Sequence, residues 1–80
     1  MNRADVRKCL TSIFRDVFDD DALVIDDTIT AKDVDGWDSL SNIDLVVAVE
    51  KAFGINLSVR EIKGFKNVGD LITLVCERSG

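Results

Sequence analysis

The sequence predicts an all-α fold, a four-helix bundle with a long first loop and a short third helix. Three observations lead there: apolar residues recur at spacings of three and four in three separate stretches, residues that favour helix N-caps precede those stretches, and proline is absent throughout. With 80 residues, the chain has length for one small domain, taken as 1–80, with a modest core and no room to enclose a large substrate pocket.

The first helix is expected from about Ala4 to Phe18, because Val6, Leu10, Ile13, Phe14 and Val17 share one face. Asn2 suits its N-cap, Asp5 suits its first turn, and Asp19-Asp20-Asp21 ends the periodicity. About twenty residues then connect to Asp38, longer than compact domains usually tolerate, so Leu23, Ile25 and Ile29 are expected to tie the connection to the core.

Asp38 is a favourable N-cap before the second helix, about Ser39 to Phe53. At 100° per residue, Leu45, Val46, Val49, Ala52 and Phe53 fall on one broad arc with Asn42, the expected core face. Leu40 and Val47 lie opposite, with Ile43 nearby and with Asp44 and Glu50 at the edges. Gly54 suits the helix end, with Ile55 and Leu57 returning to the core. Ser58-Val59-Arg60-Glu61 fits a capping box for a third helix of about Val59 to Lys63. One or two turns cannot support themselves, so this is the expected weak point of the fold. Asn67 then caps a fourth helix, about Val68 to Glu77, with Val68, Leu71, Ile72 and Val75 as its apolar face.

Composition excludes several classes of function. Ten basic and fifteen acidic residues give a formal charge of −5, against nucleic-acid or anionic-membrane binding through a general positive field and in favour of partners with basic surfaces. No apolar run is long enough to span a bilayer and the N-terminus lacks the apolar region of a signal peptide, so a cytoplasmic protein is expected. Cys9 and Cys76 are too few and too far apart for a zinc cluster and are expected to be small packed residues. The absence of histidine removes the usual general base, so no catalytic residues are assigned. Asp33 to Asp44 does not fit a calcium loop: Asp33 and Asp35 match the first two ligand positions, but glycine stands at the fourth position rather than the sixth and the twelfth is Asp44 rather than glutamate. No metal is expected.

Asp35-Gly36-Trp37-Asp38-Ser39-Leu40 puts a serine at a helix start, where serine is common simply as a capping residue. Its setting says more: the tripeptide Asp38-Ser39-Leu40 follows Gly36-Trp37, opens the run to Glu50, and leads to Phe53-Gly54-Ile55. In this motif, length, acidity and helix pattern, the chain resembles the acyl carrier proteins over most of its extent. The resemblance implies that Ser39 is the attachment site of 4'-phosphopantetheine, transferred from coenzyme A by a magnesium-using phosphopantetheinyl transferase. It implies a carrier of acyl or aminoacyl thioesters for acyl-loading, acyl-transfer or condensing enzymes, free-standing and monomeric. A bare serine hydroxyl is a poor nucleophile, so Ser39 is expected to be another enzyme's substrate. Unpaired N–H groups at the start of the second helix are expected to favour the phosphate, with Asp35 and Asp38 opposing it and serving enzyme recognition instead.

The second helix is the main recognition element of the family, which marks Asp35, Asp38, Leu40, Asp44, Val47 and Glu50 as expected partner-binding residues. Lys51 departs from the pattern, since a carboxylate commonly follows the one at Glu50; with Arg60, Lys63 and Lys66 it makes the later part of this surface less acidic. Trp37 directly before Asp-Ser-Leu is similar to carriers of secondary metabolism or specialised acylation as much as to fatty-acid carriers, while peptidyl carriers often have a second glycine there. Shelter of cargo among helices two, three and four is a further expectation, from the weak third helix. The alternative is a helical adaptor domain with an unmodified Ser39 and a Leu40/Val47 binding face.

Overall fold

The computed structural model describes residues 2–79. Among them are four helices and no strands: α1 Arg3–Val17, α2 Ser39–Phe53, α3 Val59–Gly64 and α4 Val68–Ser79. The all-α reading holds, with the expected long first loop and short third helix. α1 begins one residue earlier than expected, and α4 runs two residues further.

α1 is the central element, packed against both α2 and α4. Its Val6, Leu10 and Phe14 are fully buried, against Leu45, Val46 and Val49 of α2 and Val68, Leu71, Ile72 and Val75 of α4. Two expected core residues lie elsewhere. Ala52 is exposed, because its angle around α2 sets direction but not depth and it falls in the last turn. Cys9 is also exposed, about 100° from the centre of the arc formed by Val6, Leu10 and Phe14, whereas Cys76 is half-buried.

The expected caps form. Asn2 Oδ1 accepts from the Asp5 N–H at 2.8 Å, and Asn67 Oδ1 accepts from the Asp70 N–H at 2.8 Å. Gly54 ends α2 in the left-handed conformation, φ 64°. Ser58 and Glu61 form a reciprocal box, the Glu61 N–H donating to Ser58 Oγ at 3.1 Å and the Ser58 N–H to Glu61 Oε1 at 3.0 Å.

The long loop does more than cover the core. Ile25, Val34 and Trp37 are buried in it, while Leu23 and Ile29 pack against it half-buried. Its backbone also satisfies the start of α4, where the Val68 N–H donates to Ile29 O at 2.8 Å and the Gly69 N–H to Asp27 O at 3.0 Å. These are donors that a helix leaves without intrahelical partners, so loop and helix complete each other. Glycine at 69 makes the approach possible: a Cβ there would stand 2.9 Å from the Asp27 carbonyl oxygen. Arg3 fastens the same corner, donating to Asp27 Oδ2 at 2.7 Å and Thr73 Oγ1 at 2.6 Å.

α3 buries no residue and rests on half-buried Ile62. Its tie to α4 is polar, with the Arg78 guanidinium donating to Glu61 Oε2. The Arg78 hydrogen bond, followed by that from the Ser58 backbone, holds the Glu61 carboxyl below its ordinary range.

Candidate functional site: the start of α2

The residues before Ser39 form a closed turn. The Trp37 N–H donates to Val34 O at 3.2 Å, and Gly36 at φ 86° supplies a backbone conformation that L side chains rarely adopt. Trp37 then enters the core, 8% exposed. Its ring meets Phe14 edge-on, with centroids 5.2 Å apart and an 86° interplanar angle, and lies 6.1 Å from Phe18 and 6.4 Å from Phe65. The indole N–H donates to Asn42 Oδ1 at 2.9 Å, so the loop is joined to the first turns of α2 by an aromatic anchor and a polar one.

Asp38 and Ser41 fix the helix start. Asp38 Oδ1 accepts from the N–H groups of Leu40 and Ser41, both at 2.9 Å; Ser41 Oγ accepts from the Asp38 N–H at 2.8 Å and donates to Gly36 O at 2.6 Å. The Ser41 and Leu40 hydrogen bonds, in that order, hold the Asp38 carboxyl below its ordinary range, which favours its anionic form. This corrects one expectation: the amides of Leu40 and Ser41 are not open to a phosphate, because the cap has taken them.

Ser39 stands exposed at the first helical position, and its hydroxyl takes no part in the capping bonds. Ser41, two residues on, is half-buried with its hydroxyl committed in both directions. Beside Ser39 runs an open groove of about 350 Å³, lined by Trp37, Asn42, Ile62 and Phe65, with Asp38, Lys63 and Lys66 among its polar residues.

The other expected surface residues divide into groups. Leu40, Ile43 and Val47 are 77%, 60% and 42% exposed, an uncovered apolar stripe along α2, and Asp35 and Asp44 are exposed near it. Glu50 is half-buried and turned partly to internal use, its Oε2 accepting from the Leu57 N–H at 2.9 Å. The loop aspartates also have local duties. Asp26 Oδ1 accepts from Thr28 N–H at 2.8 Å, Asp33 Oδ2 from Thr30 N–H at 2.9 Å and Asp20 Oδ1 from Ala22 N–H at 3.1 Å, each closing a turn. Among the described residues no group of three or more acidic, cysteine or histidine side chains is arranged to hold a metal ion.

Sequence reasoning missed the Trp37–Asn42 bond and the contribution of Phe65. An aromatic immediately before a helix and an amide five residues later was the available signal for the first; Phe65 carried none.

The start of α2 thus presents an exposed serine on a capped helix end, at the edge of a groove. The family model described as "phosphopantetheine attachment site" matches residues 9–75. The fold superimposes on the solution NMR structure of a holo acyl carrier protein from Geobacter metallireducens with a TM-score of 0.86 and 44% identity, covering 91% of this chain and 84% of that one. The chain belongs to the acyl carrier protein family. Two further relatives, both acyl carrier proteins, are similar over shorter stretches. One from Acidothermus cellulolyticus is 42% identical over 38 residues, and one from Onion yellows phytoplasma is 39% identical over 44. The matched stretches span 48% and 55% of this chain, and 45% and 58% of those proteins.

The family's covalent group is 4'-phosphopantetheine, and the residues present fit it. Ser39 supplies a hydroxyl free of the capping bonds, and the adjoining groove leaves open space beside it.

Proposed function

We propose that this chain is an acyl carrier protein whose attachment residue is Ser39. The observation that carries this reading is the contrast between two neighbouring serines: Ser39 is exposed and outside the capping bonds, whereas Ser41 is built into them. When bound, phosphopantetheine supplies a terminal thiol that holds acyl or aminoacyl groups as thioesters. The chain's own residues present that arm. Trp37 anchors the loop, Asp38 and Ser41 hold the helix start, and Gly36 permits the turn between them.

Ser39 is a substrate here. With no histidine in the sequence to take its proton, the hydroxyl depends on a phosphopantetheinyl transferase for activation. That enzyme, and the acyl-loading, acyl-transfer and condensing enzymes that follow, are the partners of the α2 surface. Leu40 and Val47, with Ile43 between them, offer close apolar contact that is released again, while Asp35, Asp38 and Asp44 steer basic partners to it. Glu50 contributes to the rim and also holds the link to α3.

The test is intact mass after incubation with coenzyme A, magnesium and a broad-specificity phosphopantetheinyl transferase. One phosphopantetheine added to the parent and none to a folded Ser39→Ala variant is expected. No addition to a demonstrably folded parent with several transferases would favour the adaptor reading, in which the exposed α2 stripe binds a partner without modification.

A further inference from the structure

The groove beside Ser39 has a local charge opposite to that of the chain. Acidic residues outnumber basic ones fifteen to ten overall, yet Lys63 and Lys66 line this groove against one carboxylate, Asp38. That carboxylate is already engaged, accepting the N–H groups of Leu40 and Ser41. Among the described residues neither lysine forms an ion pair; at Lys66 it is the backbone N–H, not the ammonium, that meets Asp70. Trp37, Ile62 and Phe65 give the same groove apolar surface. Two unpaired ammonium groups beside such a surface suit an oxyanion carried on a chain.

From this arrangement we infer that Lys63 and Lys66 hold the phosphodiester formed at Ser39. The inference rests on Ser39 being the attachment residue. Two observations favour the phosphodiester over a charged group on the cargo. Ser39 itself lines the groove, so a phosphate bonded to its oxygen enters the reach of this rim whatever the cargo. Two of its usual partners, the first-turn amides of Leu40 and Ser41, already donate to the Asp38 carboxylate. The lysines are the cations left in the groove to offset that anion. Their long flexible stems can reach a tethered phosphate without the fixed fork geometry that arginine would impose. The phosphate is thereby drawn to the α3 side of the groove, away from the exposed α2 stripe, which leaves that stripe open to partners.

The experiment compares uniformly 13C,15N-labelled apo and holo protein, following the side-chain ε-methylene and ammonium signals of all five lysines and the 31P signal of the phosphodiester. Intact mass and peptide mapping record attachment at Ser39 independently. On conversion to the holo form, Lys63 and Lys66 are expected to shift while Lys8, Lys32 and Lys51 stay in place. In the holo parent the 31P signal should move between 0.1 M and 1 M salt, as the screening length falls from about 10 Å to about 3 Å. That movement should be lost in the Lys63→Gln/Lys66→Gln variant, whose exposed substitutions leave the helical spectrum unchanged. Modified protein with unmoved lysines, or a 31P signal indifferent to the substitutions, overturns the phosphate site and leaves the carrier reading standing. Lysine shifts that appear only after loading a dicarboxylic half-thioester such as malonyl also overturn it, assigning the pair to cargo. A parent that acquires nothing at Ser39 overturns both.

Discussion

Trp37 is the residue whose removal should do most damage at the site without touching Ser39. It is 8% exposed, meets Phe14 edge-on, and gives its indole N–H to Asn42 Oδ1 at 2.9 Å. Trp37→Phe retains a ring against Phe14 but leaves the half-buried Asn42 oxygen without its donor, at about 1 kcal/mol for the lost bond. The smaller ring adds about another 1 kcal/mol of lost packing. A loss of about 2 kcal/mol in a domain this small lowers Tm by roughly 8–16 °C. Trp37→Ala should cost about 3–5 kcal/mol, a large share of the roughly 4–12 kcal/mol that 80 residues typically provide. The assay is urea and thermal unfolding followed by far-ultraviolet circular dichroism, because the substitution removes the only tryptophan as a fluorescent probe. Asn42→Ala completes a cycle in which the Trp37→Phe/Asn42→Ala pair should fall short of additivity by about 1 kcal/mol. Trp37→Phe within about 0.5 kcal/mol of the parent, with additive losses in the cycle, would refute the indole as the anchor of the loop.

Three other outcomes are expected. Gly69→Ala should destabilise by about 1–2 kcal/mol in thermal melts, even though alanine favours helix by about 1 kcal/mol, because its Cβ would come 2.9 Å from Asp27 O. Ser41→Ala should cost about 1 kcal/mol in urea unfolding through loss of half the capping box, and should speed amide exchange at Asp38, whereas Ser39→Ala should be near neutral. Asp26, Asp38 and Glu61 all have carboxyls held below their ordinary values of 3.8, 3.8 and 4.5, by the Thr28 side chain, the Ser41 amide and the Arg78 guanidinium first in turn. The folded state therefore binds fewer protons than the unfolded one at these groups. Their contribution is complete above the unfolded values and disappears as pH falls through the lowered folded ones. Tm measured from pH 6 downward should drop below about pH 4.5, and Arg78→Gln should flatten part of that drop.

Elements governed by local rules were legible in the sequence. The spacing of Val6, Leu10 and Phe14 marks the buried face of α1, and Asp38, Ser58 and Gly54 announce helix ends, because capping depends on residues only a few positions apart. The proposed attachment residue, Ser39, stands out in the sequence by its motif and its place at a helix start. Long-range pairings were not legible. Nothing local reveals that carbonyls at Asp27 and Ile29 complete α4, that Arg78 fixes Glu61, or that Trp37 crosses to Phe14. Helical angle also failed as a guide to depth at Ala52, in the last turn. Asp20, Asp26 and Asp33 spend oxygens closing turns, a duty that the number of carboxylates in the loop does not announce. At the helix start the competition between neighbours was hidden: Asp38 occupies two of the amides, those of Leu40 and Ser41, that an attached phosphate was expected to meet.

The most direct test of the carrier assignment is to locate the modification within the helix start. Parent protein treated with coenzyme A and a phosphopantetheinyl transferase is digested, and fragmentation of the peptide containing Ser39 and Ser41 fixes the modified residue. The phosphopantetheine is expected on Ser39 alone, with Ser41→Ala still modified and Ser39→Ala unmodified. Modification at Ser41, or on any serine of a folded Ser39→Ala variant, would contradict the assignment of the exposed first-turn hydroxyl as the attachment site.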